Sequence, residues 1–377
     1  MVRATQHPLL TSHCAAMKLS DRIIGWQRVH GRHDLPWQNT QDPYRVWLSE
    51  IMLQQTQVSA VLEYYQRFLR HFPNVAALAN ASSEAVMAQW AGLGYYARAR
   101  NLHACAQRIM SQWHGVFPGN AEGLATLPGI GPSTAAAIAA FCYGERAAIM
   151  DGNVKRVFAR YFAIEGDPTQ RATELVLWQR AREVLPSAKT CSDDPQAMPR
   201  YTQGQMDLGA TVCTRSRPRC TDCPLAKSCQ ARLTGRTEEL PWPRKRKVLP
   251  ERSTGMLVAC HAEHVLLEQR PTQGIWGGLW SLPECESHHN AQQACERLGL
   301  APKQLQTLTP FLHVFTHYRL TITPILVHVS DLTPQPEQPP SGEIIRRWVN
   351  YKNLRTLGLP APVRKLLEGL QADHLLR

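Results

Sequence analysis

The sequence predicts a chain in two parts, a mainly α N-terminal region ending in a four-cysteine loop and a smaller α+β C-terminal domain. Three observations predict it. The string Leu127-Pro128-Gly129-Ile130-Gly131-Pro132-Ser133-Thr134-Ala135 has the pattern of a tight turn feeding a helix, a helix-hairpin-helix. Cys213, Cys220, Cys223 and Cys229 fall close together. Beyond residue 253 the helical spacing of apolar residues gives way to short strand-like runs separated by turns.

The hairpin carries the first functional signal. Gly129 and Gly131 are expected to take positive φ, and Pro132 suits the first position of a helix continued by Ala135, Ala136, Ala137, Ala139 and Ala140. A helix N-terminus fed by such a turn offers backbone N–H groups and the positive dipole end to a phosphate. A plain α-hairpin with glycine caps would carry the same string.

Composition agrees with an anionic partner. The 377 residues carry a formal net charge of +12, and the pI is near 9.3. A polyanion such as nucleic acid suits that excess. The eleven cysteines are odd in number, and no charged segment followed by an apolar one opens the chain. A disulfide-stapled secreted protein is therefore not expected. No apolar run approaches membrane-spanning length. The lack of a clear presequence favours a bacterial cytoplasm, with the protein on the nucleoid. Residues 1–17 read as an irregular extension, within which Met17 is a second candidate start.

In chain order, Asp21 to His30 reads as a short amphipathic helix, followed by a basic turn and Trp37. Trp37 is a core candidate that could also stack on a base. The next helix is expected to carry Trp47 through Gln57, with Glu50 on an apolar surface where desolvation would raise its pKa. A structural, salt-bridged Glu is the commoner alternative. Gln54, Gln55, Thr56 and Gln57 are unusually polar for such a helix and suit base edges or a solvated end. Gly92 to Asn101 offers tyrosines for stacking, Tyr95 among them, and Arg98 and Arg100 for phosphates, although aromatics after a glycine turn are usually packing residues. Asp151, delivered by an apolar run and followed by Gly152-Asn153, is by default an N-cap. Its second reading pairs it with Glu50 as the two carboxylates that glycosidic cleavage uses.

Four thiolates so close suit one metal centre, zinc or iron–sulfur. Arg215, Arg217 and Arg219 in their first loop would face a nucleic-acid backbone. Residues 233–252, with Pro241, Pro243, Pro250 and the run Arg244-Lys245-Arg246-Lys247, read as a linker. After it come strands at 256–260, 265–268, 312–320, 322–329 and 345–349, a Gly/Trp-rich loop at 274–283 and a helix at 291–298.

Together these residues resemble the MutY-type adenine DNA glycosylases of the endonuclease III superfamily. The pieces that carry the likeness are LPWQ at 35–38, WLSEIMLQQTQV at 47–58, GLGYYARARNLH at 92–103, LPGIGPSTA at 127–135, MDGNVKRV at 150–157 and the cysteine loop. The resemblance implies a helix-hairpin-helix glycosylase domain at 18–232, a Nudix-like domain at 253–365 that recognises 8-oxoguanine, and a tail at 366–377. It implies a monomeric enzyme that removes adenine mispaired with 8-oxoguanine or guanine in duplex DNA, the base being extruded first. Glu50 would protonate the purine and later help activate water; Asp151 would stabilise the oxocarbenium-like sugar, with Asn153 assisting. Trp37, Gln54, Gln55, Thr56, Tyr95, Gly129, Gly131, Phe315, Thr316 and His317 would meet DNA, the last three at the oxidised guanine. Thr316 to Tyr318 could instead be ordinary strand residues. The cysteines would hold a structural [4Fe-4S] cluster.

Ser133 stands where the superfamily's lyases carry a lysine, and a hydroxyl forms no imine, so a monofunctional enzyme is implied. The Nudix helix retains only Glu296 of its glutamate cluster, which argues against diphosphate hydrolysis. The rival readings are an endonuclease III-like lyase for oxidised pyrimidines, opposed by Ser133 and the second domain, and a non-catalytic DNA-binding protein. Binding alone would need neither Glu50 nor Asp151.

Overall fold

The computed structural model describes residues 17–244, 248–286, 290–332, 344–373 and 375. Most of the expected extension, part of the basic linker run and the last residues lie outside these. In the first third of the chain the helices are α1 (Leu19–His30), α2 (Pro43–Leu53), α3 (Val58–His71), α4 (Val75–Asn80), α5 (Ser83–Trp90) and α6 (Ala97–Trp113). Next come α7 (Ala121–Ala125), α8 (Pro132–Tyr143), α9 (Gly152–Tyr161), α10 (Arg171–Glu183), α11 (Ala188–Asp193), α12 (Ala197–Asp207) and α13 (Gln230–Leu233). The C-terminal region adds α14 (Ala291–Arg297) and α15 (Ala361–Ala372). None of the described helices is long and apolar enough to cross a membrane.

The chain divides into two compact units that interleave along the sequence. Among the described residues, the first holds those within 17–42, 119–125 and 131–244, and the second those within 43–118, 126–130 and 248–375. The helical region expected at 18–232 is thus shared between them. Helices α2 to α6 group with the C-terminal domain because side chains tie them to it. Trp280 Nε1 donates to Glu84 (2.9 Å), and Arg100 Nη1 to Gly277 O (2.8 Å).

In the first unit, Ile23, Ala137, Ala140, Val154, Phe158, Leu177, Met198 and Leu208 form one buried core. Alanines along α8 are the reason helices approach so closely there, since each removes side-chain bulk. α12 runs on into a π turn at Leu208–Val212 that leads to Cys213. Gly209 in that turn lies against α9, where an added Cβ would stand 2.5 Å from Asn153 Cβ.

In the second unit, β1 (Glu251–His261), β2 (His264–Gln269), β3 (Trp280–Ser281), β4 (Glu284–Cys285), β5 (Pro302–Thr307), β6 (Phe311–Val314), β7 (Arg319–Val329) and β8 (Arg346–Asn350) form one sheet. β1 pairs parallel with β7, from Glu251↔Arg319 to Cys260↔His328. β2 and β4 pair antiparallel with β1, while β5 and β6 pair antiparallel with β7. α14 packs Ala291, Ala294 and Cys295 against Leu257, Ile325 and Val327 of the sheet. The strand expected at 312–320 is broken: Phe315-Thr316-His317 lies in the turn between β6 and β7. Residues expected as a tail instead complete α15, whose Val363 and Leu367 are buried. The first half of the expected linker is packed as well, since Leu240 is buried and its carbonyl accepts from Arg160 Nε (2.8 Å).

Candidate active site

Asp151 is the N-cap of α9. Its Oδ1 accepts the Val154 N–H at 2.7 Å, and Oδ2 accepts from Asn153 Nδ2 at 3.3 Å. The cap reading of the sequence is therefore correct, and the helix N-terminus adds its positive dipole end to the same carboxylate. Burial pushes the Asp151 carboxyl up, and the N–H of Val154, Asn153 and the nearby Arg156 cation oppose that shift. Asn153 is itself held, because Arg156 Nη2 donates to its Oδ1 at 2.8 Å. Arg156 also donates to Gly209 O (2.6 Å) and Cys213 O (2.7 Å), fastening the start of the cysteine loop to α9.

Ser133, at the second position of α8, accepts the Met150 N–H at 2.9 Å. The hydroxyl thus fixes the residue that precedes Asp151. Gly131 departs from expectation: it is the extended N-cap of α8 with φ −82°, and Gly129 alone of the two takes positive φ, +75°. Within the second unit an added Cβ at Gly129 would stand 2.7 Å from Asn101 Cβ, so close approach as well as conformation requires glycine. Trp37 is corrected to a packing residue: at 7% exposure it shows too little ring to stack on a base.

In the second unit, Glu50 is half-buried on α2 between the buried Ser49 and Ile51. α2 stops at Leu53, so Gln54 to Gln57 form a turn rather than the end of a helix. The physical reason is Arg98. Far from facing a phosphate, Arg98 is 8% exposed, and its Nη1 collects the carbonyls of Ile51 (2.9 Å), Met52 (2.8 Å) and Gln54 (2.6 Å). Backbone acceptors that a longer helix would use internally are bound by the guanidinium instead. Arg100 is also drawn inward, onto Gly277.

Gln54, Gln55 and Tyr95 line a cavity of about 740 Å³. Trp276, Phe315, Thr316 and His317 line the same cavity. Tyr95 is 43% exposed, and both it (φ +50°) and Gln55 (φ +57°) adopt left-handed backbone. Phe315 is buttressed by rings, with Trp276 at 5.3 Å, His313 at 4.5 Å edge-on and Tyr318 stacked at 4.7 Å between centroids. Burial holds His313 below the usual imidazole range. Thr316 and His317 are exposed at the turn.

Cys213, Cys220, Cys223 and Cys229 line one cavity of the first unit together with Arg160. Burial pushes the Cys223 thiol up to about 11, and the other three cysteines reinforce the shift. Such mutual repulsion is what a bound cation would relieve. Among the described residues no group of three or more His, Cys, Asp or Glu is arranged to hold a single metal ion. Arg160, fully buried on α9, donates to Cys213 Sγ (3.3 Å), Thr214 O (2.7 Å) and Arg215 O (3.1 Å). Arg215, Arg217 and Arg219 are exposed around it.

Comparison with known proteins decides the family. Residues 48–183 match the model of the HhH-GPD superfamily base excision DNA repair proteins, and residues 254–369 match a NUDIX domain. An adenine DNA glycosylase of Buchnera aphidicola is 34% identical over 357 residues, covering 94% of this chain and 98% of that protein. Those of Mus musculus and Homo sapiens are 33% and 31% identical, each over 93% of this chain and over 77% and 74% of their own lengths. The chain belongs to the adenine DNA glycosylase family. A thermostable thymine-DNA glycosylase of known structure shares its fold over 57% of this chain and 95% of its own, with a TM-score of 0.50 and 26% identity. The adenine glycosylase is thus a DNA-binding base excision repair enzyme that hydrolyses an N-glycosidic bond.

Three arginines of the glycosylase escaped the sequence reading. Arg98 read as a phosphate contact, and Arg156 and Arg160 carried no signal beyond their place on an amphipathic helix. Their spacing of four along α9 was the available clue, since it sets both on one face, toward the cysteine loop.

Proposed function

We propose that the enzyme removes adenine mispaired with 8-oxoguanine, or with guanine, by monofunctional hydrolysis that leaves an abasic site. Glu50 gives its proton to a ring nitrogen of the extruded adenine, the bond from that base to the sugar breaks, and adenine leaves neutral. The Asp151 carboxylate stabilises the cationic sugar, and Asn153 holds that carboxylate in place. Water then attacks the anomeric carbon and returns a proton to Glu50. Ser133 has no amine with which to form an imine, so nothing in this scheme breaks the strand.

The observation that carries the opposite-base reading is the cavity lined together by Gln54, Gln55, Tyr95, Phe315, Thr316 and His317. Amides and hydroxyls read base edges, and Tyr95 offers a wedge or stacking face. In this reading residues 253–365 serve recognition rather than diphosphate hydrolysis, and the enzyme works as a monomer in a bacterial cytoplasm.

Cys213, Cys220, Cys223 and Cys229 fit a [4Fe-4S] cluster: an all-sulfur donor set lies around a shared cavity rather than about one point, and Arg160 donates to one sulfur. Bound there, the cluster supplies charge and structure to the arginine-rich loop. Single-turnover incubation with adenine opposite 8-oxoguanine, guanine and thymine tests the whole reading. Release from the first two, with strand breaks only after alkali, is expected. Breakage without alkali would overturn the monofunctional assignment, and no preference over the thymine duplex would overturn the mispair assignment.

A further inference from the structure

We propose that Arg98 is a positioning residue for recognition of the base opposite the excised adenine, because one guanidinium holds the two segments that bring Gln55 and Tyr95 to the same cavity. This rests on the opposite-base reading of that cavity.

The geometry is specific. Nη1 binds the carbonyls of Ile51, Met52 and Gln54, the end of the helix that carries Glu50 and the entry to the Gln55 turn. Nη2 binds Thr56 Oγ1 (3.1 Å), Leu93 O (3.3 Å) and Gly94 O (3.2 Å), so it closes the Gln55 turn and grips the loop that presents Tyr95. Those acceptors lie up to 47 positions from Arg98 in sequence, in two segments, 51–56 and 93–94, that belong to different parts of the chain. The guanidinium also lies 5.4 Å from the Tyr95 ring centroid and 5.3 Å from that of Trp90.

Gln55 and Tyr95 are the two residues that gain most from such a clamp. Each takes left-handed backbone although neither is glycine, and L-residues hold that conformation only where their surroundings over-determine it. On the Tyr95 side Trp90 Nε1 also donates to Gly94 O (3.1 Å). A lysine could carry the charge but not the planar fork, and would reach one segment or the other.

The test is a set of double-mutant cycles read by single-turnover rate constants for adenine opposite 8-oxoguanine and opposite guanine. Arg98→Lys is expected to lower the ratio of the two by about tenfold, as Tyr95→Ala and Gln55→Ala do, with no further fall in the double variants. A retained ratio in Arg98→Lys, or losses that multiply, would overturn the role of Arg98 while leaving the cavity reading intact. Unchanged ratios in both Tyr95→Ala and Gln55→Ala would overturn the cavity reading and the proposal with it. Should Arg98→Lys fail to fold, amide exchange of the wild-type holoenzyme decides: residues 51–56 and 92–96 are expected to open at one common rate. Independent opening of the two segments would overturn the proposal.

Discussion

The Ser133 hydroxyl accepts the Met150 N–H at 2.9 Å, so the first turn of α8 holds the segment that delivers Asp151. The residue on which the proposed monofunctional chemistry rests thereby also supports the segment that carries the Asp151 carboxylate. Ser133→Ala leaves the N–H of the buried Met150 without this acceptor, which costs about 1–3 kcal/mol. A lower melting temperature and several-fold slower excision are expected, with both restored by Ser133→Thr. Wild-type excision by the alanine variant would refute this role.

Asp151 carries a cap and a charge at once, and two substitutions separate them. Asn caps helices about as well as Asp, so Asp151→Asn should keep α9 intact while slowing excision at least about 10²-fold. Asp151→Ala should lose the same activity and also about 1 kcal/mol of stability. Equal melting temperatures for the two variants would show that the cap contributes nothing.

The pH dependence follows from the direction of the Asp151 shift. The proposed role requires the ionised form, and burial raises its pKa, so the acidic limb of the excision profile should lie above the range of an ordinary aspartate. Arg156 lowers that pKa by its charge. Removing the cation in Arg156→Gln should therefore move the limb to higher pH, whereas Arg156→Lys should leave it nearly in place. A limb that moves downward in the glutamine variant would contradict this account.

Thr316 sits exposed in the turn between β6 and β7, with its Oγ1 3.5 Å from His317 Nδ1. Thr316→Ala removes a hydroxyl from the cavity wall while leaving the ring-buttressed Phe315 in place. The preference for 8-oxoguanine over guanine should fall by roughly tenfold, the worth of one lost hydrogen bond, with smaller change in total affinity for DNA. Equal losses on both duplexes, measured by titration and single-turnover kinetics, would argue against a reading role.

Local chemistry was legible where neighbours in sequence do the work. The cap at Asp151, Pro132 at the start of α8, positive φ at Gly129 and the clustering of four cysteines all follow from residue types a few positions apart. Charge and motif order in the sequence also point to the family. Errors came where a distant group intervened. The helix expected to reach Gln57 ends at Leu53, with Arg98 collecting its last carbonyls.

What the sequence by itself determined is therefore the inventory: two carboxylates, a hairpin, a thiol set, and a serine where an amine would be needed for lyase chemistry. What only the tertiary structure decided is which of these surfaces face one another. Gln54 and Gln55, Tyr95 and the Phe315–His317 turn share a cavity although more than two hundred positions separate the first from the last. The physical reason is that a buried guanidinium and a parallel pairing of β1 with β7 act between segments whose separation along the chain leaves no periodic trace.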